Sequence, residues 1–233
     1  ATKVGRARTT GALLRSDELA FRPREVESGK FEFDIGTAGS TGLVLQTILP
    51  ALCGAEGDSE VTVRGGTHNP MAPSFDFLEQ VYAPAVASLG PSLTFRLNRH
   101  GFYPAGGGEV VATVEPGPGG PRLELLDRTE DVTGRIEALV AHLPAHIGER
   151  ECERAVAELN WAPASATVRE VDSTGPGNVV SAILTFESGR SEIFTGYGEK
   201  GLRAETVASR LADEVKDFLA ARVPIGPHLA DQL

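Results

Sequence analysis

Phe31, Phe33 and Ile35 alternate with Glu32 and Asp34 along residues 30–35. That period of two predicts a strand with one buried face. A shorter run at 18–21 reads the same way, after a basic and polar stretch at 1–15. The period then changes. Leu43, Val44, Leu45, Ile48, Leu49 and Leu52 surround the wheel of a helix at 43–53, which is therefore largely buried, with Ser40 or Thr41 as its N-cap. A strand at 59–64, a helical stretch at 75–89 and strands at 92–97 and 109–114 follow. The Pro- and Gly-rich run at 115–121 interrupts the chain.

Beyond residue 128 the organisation differs. A strand at 134–143 precedes a helix at 145–159 that carries Cys152, Val156 and Leu159 on one face. Strands at 165–171, 179–186 and 191–195 follow, the last two forming a hairpin across Ser188-Gly189-Arg190. A helix at 203–219 is striped by Val207, Leu211, Val215 and Phe218. The strand–helix–strand–helix order of the first unit supports an α/β arrangement with mixed or antiparallel sheets, the second reads as a compact α+β unit, and the chain as a whole is classed as α+β. Residues 1–127 form one unit, and residues 128–221 form a compact second unit with its own core, expected to fold autonomously. Residues 222–233 return to the first unit.

Composition narrows the function classes. Of the 233 residues 41% are hydrophobic, enough for an ordinary core, and no apolar run reaches membrane-spanning length. No charged-then-apolar leader is present, so a soluble cytoplasmic protein with no membrane association is expected, and no stable protein partner is inferred. The net charge of −10 argues against broad non-specific binding to duplex nucleic acid. It leaves room for a small basic pocket that holds one nucleic-acid end, with Arg64, Arg96 and Arg99 near the glycine-rich turns. Cys53 and Cys152 have no pairing pattern and are expected to be reduced.

The candidate chemistry lies in the turns. Arg99-His100-Gly101-Phe102-Tyr103-Pro104-Ala105-Gly106-Gly107-Gly108 links two strands. Consecutive glycines mark positive φ or a close approach that a Cβ would block, so the turn is either a tight β-connection or a ligand cradle. Gly36-Thr37-Ala38-Gly39-Ser40-Thr41 opens a helix, which suits an anion but also describes a plain capped turn. Gln46 is polar in a buried helix and needs partners, whether backbone groups or a ligand. The loop 65–73, Gly-Gly-Thr-His-Asn-Pro-Met-Ala-Pro, is rigid. His68 in it reads as a solvated or hydrogen-bonded histidine rather than a metal ligand. His142 and His146 straddle Pro144, and Gly198-Glu199-Lys200 lacks the full phosphate-loop spacing, so neither pair nor turn is assigned a site.

The run His-Gly-x-x-Pro-x-Gly-Gly-Gly-x-Val at 100–110 resembles the signature of the RNA 3'-terminal phosphate cyclase family. Residues 36–47, the loop 65–73, the Gly-Pro-Gly-Asn turn at 175–178 and Gly-Pro-His-Leu-Ala-Asp-Gln at 226–232 resemble other segments of that family. The resemblance implies a core of repeated sheet-plus-helices units, here partial in residues 1–127, with an inserted smaller α+β domain in 128–221 and a nucleotide-binding segment in 222–233. It implies ATP and a divalent metal, Mg or Mn, as cofactors, and an RNA 3'-phosphate end as partner. The implied reaction is that of an ATP-dependent ligase-class enzyme, in which adenylylated enzyme and RNA-adenylate intermediates lead to a 2',3'-cyclic phosphate. The residues implied to bind nucleotide are Gln46, Pro73, His228, Leu229, Ala230, Asp231 and Gln232, with His228 standing where the family usually has tyrosine.

No catalytic or metal-binding residue is assigned. The family's nucleophilic histidine corresponds to a position after Leu233, and its metal-binding glutamate and phosphate-binding arginines to positions before Ala1. The chain is therefore expected to be an incomplete copy, inactive alone and poorly soluble. The alternatives are a non-catalytic cyclase-like protein of RNA processing or ribosome assembly, favoured less because Gln46 and the Leu-Ala-Asp-Gln run are kept, and an enolpyruvyl-transferase-like enzyme, which the 100–110 signature opposes.

Overall fold

The computed structural model describes every residue except 121, 127, 129 and 130. The expected unit boundary at 127 falls on residues outside the described ones. Strands β1 (Arg8–Thr10) and β2 (Ala20–Arg22) form a small antiparallel ribbon with Thr9 opposite Phe21. The main elements of the first unit are β3 (Gly29–Asp34), α1 (Thr41–Cys53), β4 (Ser59–Gly65), the short helices α2 (Phe75–Phe77) and α3 (Ala83–Ala87), β5 (Ser92–Arg99) and β6 (Gly108–Glu115). The second unit holds β7 (Val132–Ala141), α4 (His146–Leu159), β8 (Ala166–Glu170), β9 (Gly177–Phe186), β10 (Ser191–Tyr197) and α5 (Ala204–Ala221). The one-turn helix α6 (Pro227–Ala230) ends the chain.

Two four-stranded sheets carry the fold, ordered β3-β4-β6-β5 and β10-β9-β7-β8. Each contains one parallel pair bridged by a helix, β3–α1–β4 and β7–α4–β8, and is antiparallel elsewhere. The α+β class and the repetition of sheet-plus-helix units are thus present in the structure.

The expected helix at 75–89 is interrupted. Pro84 has no N–H to give to the carbonyl four residues back. The chain widens there into a π segment, Leu78–Tyr82, closed by the Ala83 N–H on the Leu78 carbonyl. Strand β8 starts one residue later than expected, after a 3₁₀ turn at Pro163–Ser165, and β10 runs two residues further, to Tyr197.

The first core gathers Leu45, Ile48 and Leu49 of α1, Val61 and Val63 of β4, and Val110, Ala112 and Val114 of β6. The second lies under α4 and α5. Strand β9 is buried almost throughout, because both of its faces are covered. Val180, Ala182 and Leu184 face α4 and α5, whereas Ile183, with Ile193 of β10, joins the first core. The second sheet is thereby sandwiched between its own helices and the first unit. A cleft remains along that seam.

Candidate functional site

The cleft has a volume of about 680 Å³. Its walls are α1, the 70–74 loop, the outer strand β10 and the α6 segment. Gln46, Pro73, His228, Asp231 and Gln232 all line it. Of the remaining residues expected to bind nucleotide, Leu229 is 4% exposed and packs into the first core, while Ala230 is exposed and faces away from the cleft. Both follow from the helical turn of α6, which sends one residue inward for each that faces the cleft.

Local chemistry brings these segments together. The Ser40 hydroxyl caps α1 by accepting the Leu43 N–H at 3.2 Å. Thr41 anchors the helix to the next strand, its N–H and hydroxyl both donating to the Gly66 carbonyl at 2.8 and 3.0 Å. Gly42 lets the 70–74 loop lie on the first turn, since a Cβ there would stand 2.2 Å from the Pro73 carbonyl oxygen. Pro73 and Gln46 therefore face one space. The Gln46 carboxamide is part-buried and has no hydrogen-bond partner among the described residues, and Gln232 Oε1 is buried and equally unpartnered. Unpaired polar groups beside Pro73 and Phe77 are the surroundings a small amphipathic ligand needs.

The glycine-rich turn between β5 and β6 lies elsewhere, at the junction of the two units. Gly106 and Gly107 have φ of +66° and +74°. A Cβ at Gly106 would stand 2.8 Å from Ala38 Cα, and one at Gly107 would stand 2.2 Å from Thr174 Oγ1. Phe102, 3% exposed, plugs into Leu139, Ala141 and Val179 of the second sheet. The space for it exists because residue 177 is glycine; a Cβ there would lie 2.0 Å from the Phe102 ring.

The family model for RNA 3'-terminal phosphate cyclase matches residues 1–233. The chain belongs to the RNA 3'-terminal phosphate cyclase family. The relative named RNA 3'-terminal phosphate cyclase in Koribacter versatilis (strain Ellin345) is 46% identical over 234 residues, spanning all of this chain and 66% of its own length. Those so named in Salmonella typhimurium (strain LT2) and Pseudomonas fluorescens (strain Pf-5) are each 44% identical and matched over 68% of their length. The chain spans about two thirds of the length of these curated relatives.

Within this cyclase-family chain, the signature at 100–110 makes the junction and does not line the cleft. Its histidine belongs to a closed polar cluster. His68, 2% exposed, bonds Asp76 Oδ2 through Nε2 and Thr67 Oγ1 through Nδ1, both at 2.8 Å. Burial pushes the Asp76 carboxyl up, but the hydrogen bond and charge of His68 outweigh it, and the carboxyl ends below its usual range. His100 stacks on His68 with ring centroids 5.5 Å apart; burial and then the His68 charge push it down to about 4, so it is neutral at pH 7. His68 is thus hydrogen-bonded on both ring nitrogens and buried rather than solvated. His142, by contrast, bonds a backbone group, the Ser173 carbonyl, at 2.7 Å.

The arginines near the glycine turns do not form a pocket at the cleft. Arg64 pairs with Glu109 at 2.6 Å and Glu32 at 3.4 Å, and Arg99 donates to the Gly107 carbonyl. None of Arg64, Arg96 and Arg99 lines the cleft. Alternation with the core residues Val63, Leu93 and Phe95 puts Arg64 and Arg96 on the solvent face of the first sheet, and a bulge between Leu97 and Arg99 brings Arg99 to the same face, opposite Glu109. Both cysteines are free, and burial pushes the Cys152 thiol up to about 11.

Among the described residues no three His, Cys, Asp or Glu side chains gather as a metal-ligand set. No helix among them is long and apolar enough to cross a membrane. Sequence reasoning missed Phe77, Thr195, Tyr197 and Glu214 as cleft residues. Only the strand alternation of β10 could have marked Thr195 and Tyr197, and nothing local said which face met a ligand.

Proposed function

We propose that the cleft binds the adenine nucleotide of an ATP-dependent RNA 3'-terminal phosphate cyclase, a ligase-class activity that converts an RNA 3'-phosphate end into a 2',3'-cyclic phosphate through adenylylated intermediates. The observation that carries this reading is the convergence of Gln46, Pro73 and the 228–232 segment on one cleft, although 27 to about 180 residues of chain separate them. The groups fit the ligand. Pro73 and the His228 ring offer flat faces to a base, while Gln46 and Gln232 hold unpaired amide groups that can read its polar edge. Asp231 hydrogen-bonds base or ribose. Bound ATP supplies the activated leaving group that a terminal phosphate lacks.

The divalent metal implied by the family has a poorer fit to this chain. Asp231 and Glu214 are the carboxylates of the cleft, and no third ligand joins them among the described residues. None of His68, His100, His142 and His146 lines the cleft, and His228 is assigned to stacking, so no nucleophile is assigned.

The test is calorimetric titration of ATP, followed by incubation of a 3'-phosphorylated RNA with ATP in the full protein. Binding with conversion of the terminal phosphate to a phosphatase-resistant form is expected. A well-folded protein that takes up no ATP would return the non-catalytic reading instead.

A further inference from the structure

The 222–233 segment carries three of the cleft's polar groups, His228, Asp231 and Gln232, yet its only helix is one turn long. A turn of that length does not hold itself. Leu229 and Ile225 pack on the first core, and the hairpin between β9 and β10 holds the backbone that leads into the turn. Glu192 is 2% exposed, and its Oε1 accepts the Gly226 N–H at 2.7 Å, at the residue that caps α6. Two residues earlier, Arg190 donates through Nη1 to the Pro224 carbonyl at 2.7 Å, while its guanidinium lies 4.8 Å above the Phe186 ring. Gly226 has an ordinary backbone, φ −76° and ψ 164°, that any residue adopts, so conformation does not demand a glycine. Space does: a Cβ would stand 2.7 Å from Glu192 Oε2. A buried carboxylate, a buried N–H and a missing side chain fit one another closely.

We propose that Glu192 is a positioning residue, which with Arg190 latches the 224–226 backbone onto strand β10 and so sets the α6 segment in the cleft. Glu192 is not among the residues lining the cleft, so its effect on a ligand is transmitted through Gly226. Burial pushes its carboxyl up, while the Gly226 N–H and the Arg190 charge oppose that push, as for a group that spends its charge inside the latch. The nucleotide consequence rests on the cleft reading given above; the ordering of the segment does not.

Hydrogen–deuterium exchange in the full chain separates the two. Glu192→Ala orphans the Gly226 N–H, and amides at 226–233 should exchange about tenfold faster, with α5 and β7 unchanged. Glu192→Gln keeps an oxygen acceptor and should restore slow exchange. Gly226→Ala, which leaves the backbone allowed but forces the carboxylate away, should reproduce the defect and decides the matter if Glu192→Ala does not fold. ATP affinity measured on the same proteins should fall about tenfold for the two alanine variants and stay within about twofold for Glu192→Gln. Unchanged exchange at 226–233 in a folded alanine variant overturns the latch, as does a Glu192→Gln protein as defective as Glu192→Ala. If the wild-type protein does not bind ATP, the cleft reading fails while exchange still decides the latch. If ATP binds and exchange is unaltered, the latch fails and the cleft reading stands.

Discussion

The junction and the cleft are built from the same kinds of residue and use them in opposite ways. At the junction most polar side chains have protein partners: Thr67 with His68, His68 with Asp76, His142 with the Ser173 carbonyl; Ser173 Oγ and Asn69 Oδ1 are buried without one. Its glycines are filled by neighbouring chain, with Ala38 and Thr174 where side chains would stand. In the cleft the amides of Gln46 and Gln232 are left without protein partners, and a rigid proline and a histidine ring face open space. A junction whose space is filled by neighbouring chain is architecture, whereas unpaired amides that face an open cleft suit a ligand. The most conspicuous motif in the sequence is therefore the one that holds the two units together.

The largest expected effect comes from breaking the junction. Phe102→Ala should cost about 3–5 kcal/mol, the usual range for emptying a buried aromatic site, read as a lowered melting temperature. Gly177→Val should be at least as damaging, because its side chain must displace the Phe102 ring. Melting temperatures within a degree of wild type for both would show that the units do not depend on this contact.

Next is a pH effect on the second unit, one residue along from that plug. Glu151 is fully buried in α4, and Asn178 Nδ2 donates to it at 2.8 Å. Burial pushes its carboxyl up to about 7, against the Asn178 hydrogen bond and the Arg150 charge. The folded value lies above the unfolded one near 4.5, so this contribution to stability is complete below about pH 4.5 and is lost as pH rises through 7. The loss is on the order of 3 kcal/mol. Wild-type melting should fall between pH 5 and 8, and Glu151→Gln should flatten that fall. An identical slope in both proteins would contradict the assignment.

Changes in the cleft should leave melting alone and alter ligand affinity. His228→Ala should weaken ATP binding about tenfold or more, by the scale of base–aromatic stacking, and His228→Tyr should preserve or improve it. Gln46→Ala should weaken binding by a similar factor through the lost amide contacts. Equal affinity in all three proteins would remove these residues from the site. The smallest effect belongs to Arg64→Ala, which breaks a surface ion pair with Glu109 and should change neither ATP affinity nor melting measurably. A clear loss of ATP affinity would restore the idea of a basic pocket around the glycine turns.

Much of the fold was legible because its signals are local. The alternation of Phe31, Phe33 and Ile35 and the stripe of Val207, Leu211, Val215 and Phe218 reappear as β3 and α5. The break at Leu78–Tyr82 was legible in principle from Pro84, but the apolar periodicity around it outweighed a single residue. The site divides in the same way. Gln46 announces itself as a polar residue in an apolar helix, and Pro73 as the end of a rigid loop. Thr195 and Tyr197 enter the cleft only because the second sheet packs against the first unit. The latch between Glu192 and Gly226 spans 34 residues and depends on an absent Cβ, so no periodicity records it. The division of labour between cleft and junction is a tertiary fact of the same kind.

The most direct test of that division is a titration of the isotopically labelled protein with ATP, followed by amide NMR shifts. The largest changes should fall at Gln46, Ser74 and His228 to Gln232, with Gly106 and Gly107 unmoved. Shifts concentrated at Gly106, Gly107 and His100, with His228 to Gln232 silent, would make the glycine turn the ligand site and the cleft a packing defect.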